Sequence, residues 1–320
     1  MQYLILNQLG TPAAPTPEAV GIYLSEFLMD PRIIPLPRPF RDILVKIAIV
    51  PRRRYTSAQT YKKVWTEQGS PLVVHNEDLR RKLQSRLGGV QVVTAMRYGE
   101  PSIRSVLEKI STTDKRAEVY FLPLYPQYAT ATVASATDEI EKFKNQSQFK
   151  MPITVLEPFY NQPWYIEALA HVTKPYLTEG SHLLLSYHGI PVSQETNAPY
   201  SYQKHCQATT HQLAERMNWP TSDYTMSFQS RVGLNKWLTP STEETAGNLA
   251  KRGVKHLKVA CPSFVADCLE TIEEIGMELR HTFLSEGGES FELIPCLNDE
   301  DLFVAGLIQY FQATQAKAQQ

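Results

Sequence analysis

His182-Leu183-Leu184-Leu185-Ser186-Tyr187, followed at once by His188-Gly189-Ile190-Pro191, is a short apolar run closed by two residues that end a strand. Gly189 permits a sharp turn, and Pro191 lacks the N–H that a further ladder bond would need. The run therefore reads as a buried strand that delivers a histidine to its carboxyl end. Runs of the same kind recur at Tyr3–Asn7, Val90–Met96, Glu118–Pro123, Ile153–Leu156, Tyr224–Ser227 and Leu257–Cys261. Between them, helical periodicity is found near 16–29, 56–66, 72–86, 101–110, 132–144, 163–177, 201–217, 241–251, 265–282 and 299–313. Short strands alternating with longer helices make βαβ units and mostly parallel sheets.

A chain of 320 residues is long for one core and suits two domains of roughly 150 residues. The halves echo each other, because one strand ends in Leu-Pro-Leu-Tyr-Pro-Gln-Tyr (122–128) and another in Ala-Cys-Pro-Ser-Phe (260–264), each with a helix after it. The expected fold is α/β, with two doubly wound Rossmann-like domains, parallel sheets and a cleft between them. The expected extents are 1–148 and 149–298, with the seam in the polar stretch Lys144–Pro152. A last helix within 299–320 would cross back to the first domain, its tail from Thr314 frayed. Sheets of this kind bind ligands beyond the carboxyl ends of their strands.

Composition narrows the function classes. Hydrophobic residues make up 42% and charged residues 20%, with a net charge of -1, which offers no global attraction to nucleic acid. No G-x-G-x-x-G follows a strand and no P-loop is present, so a nucleotide enzyme has little support. The cysteines Cys206, Cys261, Cys268 and Cys296 form no C-x-x-C pair and read as buried thiols in a reducing compartment. Neither a structural zinc site nor an iron–sulfur cluster is expected from them. The N-terminus runs straight into a strand with no signal-peptide pattern, and no segment reaches the ~18 apolar residues of a membrane span. The expected location is cytoplasmic, with peripheral contact at the inner face of the membrane left open.

Two constellations carry chemistry. His188, at a strand's carboxyl end, is either a ligand or base facing the binding edge or a turn histidine satisfied by backbone. Glu270, Glu274 and Glu278 repeat every four residues, so a helix sets them along one side. Such a row holds or conducts a hydrated divalent cation, or else it is a solvated acidic face. Glu270 stands apart because it lies near the helix start, close to a strand end.

The run LLLSYHGIP (183–191) resembles the ferrochelatase signature around its metal-site histidine, and CPSFVADCLETIEE (261–274) is similar to the segment with that family's catalytic glutamate. LILNQLGTP (4–12), QGSPL (68–72), MRYGEPSI (96–103), LPLYPQ (122–127) and SFQSR (227–231) with WLTP (237–240) resemble the same family in the same order. The resemblance implies a chelatase-type fold and iron insertion into protoporphyrin IX in haem biosynthesis. It implies His188 and Glu270 as catalytic and metal-site residues, and places Arg97 and Tyr125 near the macrocycle. Glu274 and Glu278 would line a path for metal or protons. Ferrous iron and porphyrin are substrates in this reading, and no prosthetic group is expected. One loop departs: the family shows Gly-Asp-x-Tyr where this chain has Pro199-Tyr200-Ser201-Tyr202, so only the tyrosine is kept. Coproporphyrin, another tetrapyrrole chelatase activity and a non-catalytic tetrapyrrole or metal carrier remain as alternatives.

Residues 31–54 (PRIIPLPRPFRDILVKIAIVPRRR) set seven Lys/Arg and one acid, Asp42, among Ile33, Ile34, Leu36, Phe40, Ile43, Leu44, Ile47 and Ile49. Prolines bar helix at its start, while 40–50 suits an amphipathic helix. The segment is either a core helix behind a proline-rich loop or a porphyrin lip that also rests on anionic lipid.

Overall fold

Residues 1–146, 151–196, 199–231, 233 and 235–318 are described by a computed structural model. The chain divides into two compact units, one of Met1–Leu124, Thr130–Glu157 and Phe311–Gln320, the other of Tyr125–Ala129 and Pro158–Tyr310. The 148/149 boundary expected from composition lies outside the described residues. Tyr125–Ala129 follows a first-unit strand yet belongs to the second unit. The cause is visible in two bonds: Gln127 Nε2 donates to Thr209 Oγ1 at 3.1 Å, and the Tyr128 N–H donates to His205 Nδ1 at 3.3 Å.

The first unit runs β1 (Gln2–Gln8), α1 (Pro17–Leu28), α2 (Arg38–Ile43), α3 (Val50–Val64), α4 (Pro71–Arg86), β2 (Val90–Met96), α5 (Ile103–Thr113), β3 (Glu118–Pro123), α6 (Ser135–Gln146) and β4 (Ile153–Val155). Its four strands are parallel in the order β2-β1-β3-β4. β1 is almost wholly buried, as a central parallel strand covered on both faces must be. Tyr3, Ile5, Val119 and Phe121 pack from the sheet against Leu107, Ile110, Ile140 and Phe143 from the helices.

Arg38–Val64 is one continuous helical run, because a π-helical turn at Leu44–Ile49 joins α2 to α3. The apolar side chains expected there divide by face. Val45 and Val50 are buried, whereas Phe40 and Ile47 are 66% and 71% exposed, with Ile43 and Leu36 exposed beside them. Spaced three and four along the helix, Phe40, Ile43 and Ile47 make one outward apolar stripe, with Leu36 exposed just before the helix begins. The segment is therefore not a core helix.

The second unit runs α7 (Pro163–Thr173), β5 (Ser181–His188), α8 (Val192–Thr196), α9 (Tyr202–Met217), β6 (Tyr224–Gln229), α10 (Thr242–Lys251), β7 (His256–Ala260), a π-helix (Glu270–Leu279), α11 (Arg280–Ser285), β8 (Ser290–Leu293) and the start of α12 (Asp301–Ala318), which from Phe311 belongs to the first unit. Its strand order, β6-β5-β7-β8, repeats that of the first unit, again all parallel. Leu184, Leu257 and Val259 pack against Ala246, Ile275, Leu279 and Phe283. β8, unseen in the sequence pattern, buries only Phe291 of its four residues and shows no alternation to read. α12 continues helical past Thr314, where fraying was expected. Phe311 sets its ring edge-on to Tyr120 with centroids 5.2 Å apart, and Gln315 bonds to Gln2 at 2.8 Å. Among the described residues no helix is long and apolar enough to cross a membrane.

Candidate active site

In the second unit the chain turns from β5 outward to β6 on one side and to β7 on the other, so the carboxyl end of β5 is a topological switch point. His188 stands there, in register with Gln229 at the end of β6. Its Nδ1 lies 2.7 Å from the carbonyl oxygen of Gly189. A carbonyl can only accept, so Nδ1 carries the proton, and in that tautomer the Nε2 lone pair is the one left for a metal or a proton. The His188 N–H donates to Ser263 Oγ at 2.9 Å, and the His188 carbonyl accepts the Tyr202 hydroxyl at 2.8 Å. Phe264 sets its ring 6.1 Å from the imidazole, centroid to centroid.

The carboxylates come from the turn after β7. Asp267, buried, accepts Thr271 Oγ1 at 2.9 Å, Asn298 Nδ2 at 2.8 Å and the Cys296 N–H at 3.2 Å, which anchors the entry to the π-helix. The sequence called for an α-helix over 265–282; the helix proper is of the i→i+5 type from Glu270. A wider turn of roughly 4.4 residues, against about 3.6, brings side chains four apart closer to a straight line. Glu270 and Glu274 are half-buried and Glu278 is exposed, so the row runs from solvent inward.

Glu274 is anchored by Ser230. Its carboxylate accepts the Ser230 N–H at 2.6 Å and the Ser230 hydroxyl at 2.5 Å. Ser230, which makes both bonds, sits at φ +62°, a left-handed conformation costly for serine. Burial pushes the Glu274 carboxyl above its ordinary 4.5, assisted by the Glu270 charge and opposed by the Ser230 bonds and by His188 whenever its ring is protonated. Glu274 thus feels the imidazole and the neighbouring carboxylate at once. Gln229 supports the same corner, its Nε2 donating to the Glu270 carbonyl at 3.0 Å and its Oε1 accepting Ser186 Oγ at 2.7 Å.

Ser230, Gln229, Tyr202 and Ser263 carry no assignment in the sequence reading. Each nonetheless left a signal: Gln229 and Ser230 lie in SFQSR, Ser263 lies in CPSFVADCLETIEE, and Tyr202 is the residue retained in a loop that otherwise departs from pattern. Among the described residues, no group of three or more His, Cys, Asp or Glu forms a ready-made metal cage. All four cysteines are free and buried, and burial pushes each thiol well up, away from the thiolate that ligates metals.

Arg97 lies in the first unit, its side chain 10% exposed and paired with Asp30 at 2.5 Å. Its Nε donates to Ser135 Oγ at 2.6 Å, Glu139 lies 3.4 Å away, and the guanidinium covers the Tyr98 ring at 4.4 Å. Burial alone would raise the Asp30 carboxyl, yet bonds from Ser135, the Arg32 N–H and Tyr98, with the Arg97 charge, hold it below its usual value. A substrate contact by Arg97 would have to share these bonds. Tyr125 is half-buried at the start of the segment that joins the second unit.

Doubly wound units with an imidazole and a row of carboxylates at the strand ends define a chelatase-type α/β protein. SirB from Bacillus subtilis, solved with Fe3+, is similar over 99% of this chain and 97% of its own, with a TM-score of 0.59 at 11% identity. A SirB from the subspecies spizizenii in complex with cobalt gives a TM-score of 0.57 at 9% identity, over 98% of this chain and 94% of its own. These likenesses concern the fold. The family model described as Ferrochelatase matches residues 3–315. Curated ferrochelatases of Ectopseudomonas mendocina and Legionella pneumophila (strain Corby) are 40% and 39% identical over 95% of this chain, and over 95% and 96% of their own. The chain belongs to the ferrochelatase family.

Proposed function

We propose that this chain inserts ferrous iron into protoporphyrin IX, with His188 and Glu270 at the reacting centre and Glu274 and Glu278 as the route for metal or protons. Family membership makes it an enzyme of haem biosynthesis that acts on iron and porphyrin. The observation that carries the residue assignment is the Glu274 carboxylate, anchored by Ser230 and within the fields of both His188 and Glu270.

Metallation must remove two pyrrole N–H protons as the cation enters, so a base and an acceptor of positive charge are needed together. His188 supplies a free Nε2 lone pair for the first task. Glu270 and Glu274 offer hard oxygen ligands for Fe2+ and accept protons in their turn. Because burial raises the Glu274 carboxyl, that group takes up and releases a proton nearer to neutrality than an exposed glutamate would. The inward row of carboxylates matches the direction in which a hydrated cation would travel and shed water. No resident cofactor enters this scheme.

The exposed stripe of Phe40, Ile43 and Ile47, with Leu36 just before it and Arg38 and Lys46 beside it, is the surface proposed to meet anionic lipid. An apolar porphyrin could then arrive without crossing bulk water.

An anaerobic absorbance assay with protoporphyrin IX and ferrous iron tests the reaction, and His188→Ala tests the site. Turnover close to wild type in that variant would remove the imidazole from the mechanism. Faster turnover of coproporphyrin would change the substrate, and tight porphyrin binding without metallation would make the protein a carrier.

A further inference from the structure

The backbone around His188 is clamped by side chains from two other elements. Its N–H donates to Ser263 Oγ at 2.9 Å, beyond β7, and its carbonyl accepts the Tyr202 hydroxyl at 2.8 Å, from the first turn of α9. The peptide that follows is fixed as well, since the Gly189 N–H donates to the Gln229 carbonyl at 2.8 Å. With the His188–Gly189 peptide held on both edges, the next carbonyl, that of Gly189, is presented to the imidazole 2.7 Å from Nδ1. A bond from one ring nitrogen decides which proton the other carries.

We infer that Tyr202 is a positioning residue for His188: its hydroxyl fixes the peptide plane that makes the Gly189 carbonyl select the Nδ1–H form and aim Nε2. Tyr202 is 4% exposed and acts from behind the backbone. Its own placement is braced where the loop departs from the family pattern. Ser201 Oγ accepts the Lys204 N–H at 3.2 Å, and Glu195 accepts the Ser201 hydroxyl and the Gln203 N–H, the latter at 3.3 Å. One turn along α9, His205 stacks on Tyr160 with ring centroids 3.7 Å apart. The tyrosine is thus held although the aspartate of the pattern is absent.

This role rests on the His188 chemistry proposed above, and the experiment separates the two. Tyr202→Phe is compared with Tyr187→Phe, which also removes a buried hydroxyl, here bonded to Thr210 Oγ1 at 2.9 Å rather than to the His188 carbonyl. Each protein is assayed for porphyrin metallation. Each is also labelled with [15N]histidine, so that nitrogen shifts report the tautomer of His188, assigned with His188→Gln. Tyr202→Phe is expected to lose about ten- to a hundredfold in kcat with KM little changed, and its His188 signals should move toward mixed tautomers. Tyr187→Phe should lose comparable thermal stability while keeping kcat and the wild-type spectrum. A Tyr202→Phe protein with wild-type kcat, or with His188 signals like those of the wild type, overturns the inference. If His188→Ala still turns over, the His188 assignment fails, while the Tyr202→Phe spectrum still decides whether Tyr202 sets the tautomer.

Discussion

Gly189→Ala perturbs the site by one methyl group, and its consequence can be worked from distances. A Cβ at this position would lie 2.6 Å from the Gln229 carbonyl oxygen and 3.4 Å from the Trp237 ring. Carbon and carbonyl oxygen ordinarily stay roughly 3.3 Å apart or more, so the two backbones must separate by about 0.7 Å. The Gly189 N–H bond to that same oxygen, now 2.8 Å, would stretch to about 3.5 Å and cease to count as a hydrogen bond. Overpacking of this kind costs about 1–3 kcal/mol, and the lost bond about 0.5–1.5 kcal/mol. The expected loss is therefore roughly 1.5–4.5 kcal/mol, within what a chain of ordinary stability survives. Activity should fall further than folding, because the displaced peptide carries the His188 carbonyl away from Tyr202 and turns the imidazole. A loss of about a hundredfold in kcat is expected from such a misplacement. Urea unfolding followed by circular dichroism, beside the anaerobic metallation assay, measures both. A variant that folds within about 1 kcal/mol of wild type and keeps its kcat would refute the close approach of β5 and β6 on which the site is built.

Asp30→Ala leaves the Arg97 guanidinium nearly buried without its 2.5 Å partner, and urea unfolding should show a loss of about 3–5 kcal/mol. Replacing both, Asp30→Leu with Arg97→Met, should cost much less; an equal loss would mean that packing and not charge is at stake. Burial, partly opposed by the Asp223 charge, holds the His182 imidazole below its ordinary 6.5. The unfolded chain then binds a proton first as pH falls through that value, so stability declines on acidification and recovers as pH rises. Thermal melts of wild type should therefore begin to drop as pH falls through about 6.5, and His182→Asn should drop less. A wild type and a variant that fall in parallel would assign the pH dependence elsewhere. Serine at Phe40, Ile43 and Ile47 together should abolish sedimentation with anionic vesicles while metallation of detergent-dispersed porphyrin persists; unchanged sedimentation would acquit the stripe.

What the sequence made legible was residue type at a strand end. LLLSYHGIP states its own geometry, since three leucines want burial, Gly189 alone tolerates the approach of Gln229, and Pro191 forbids continuation. Other features depend on partners far away in the chain. The resemblance places Arg97 near the macrocycle, and nothing nearby in the sequence announces its ion-pair partner Asp30, 67 residues earlier. Ser230 gave no sign of its left-handed backbone, for serine is not among the residues that advertise positive φ. The four-residue spacing of Glu270, Glu274 and Glu278 fits an α-helix as well as a π-helix, so only coordinates tell them apart. These hidden features carry the chemistry. A strand end can present an imidazole without deciding which nitrogen is free, and a helix can present a carboxylate without moving its affinity for protons. The Gly189 carbonyl decides the first, and burial against the Ser230 corner decides the second. Both corrections come from the ends of neighbouring parallel strands, where register alone brings His188 opposite Gln229 and leaves Ser230 the next residue out. A shift of one residue in the β5–β6 ladder would preserve every motif in the chain and yet separate the base from the groups that make it one.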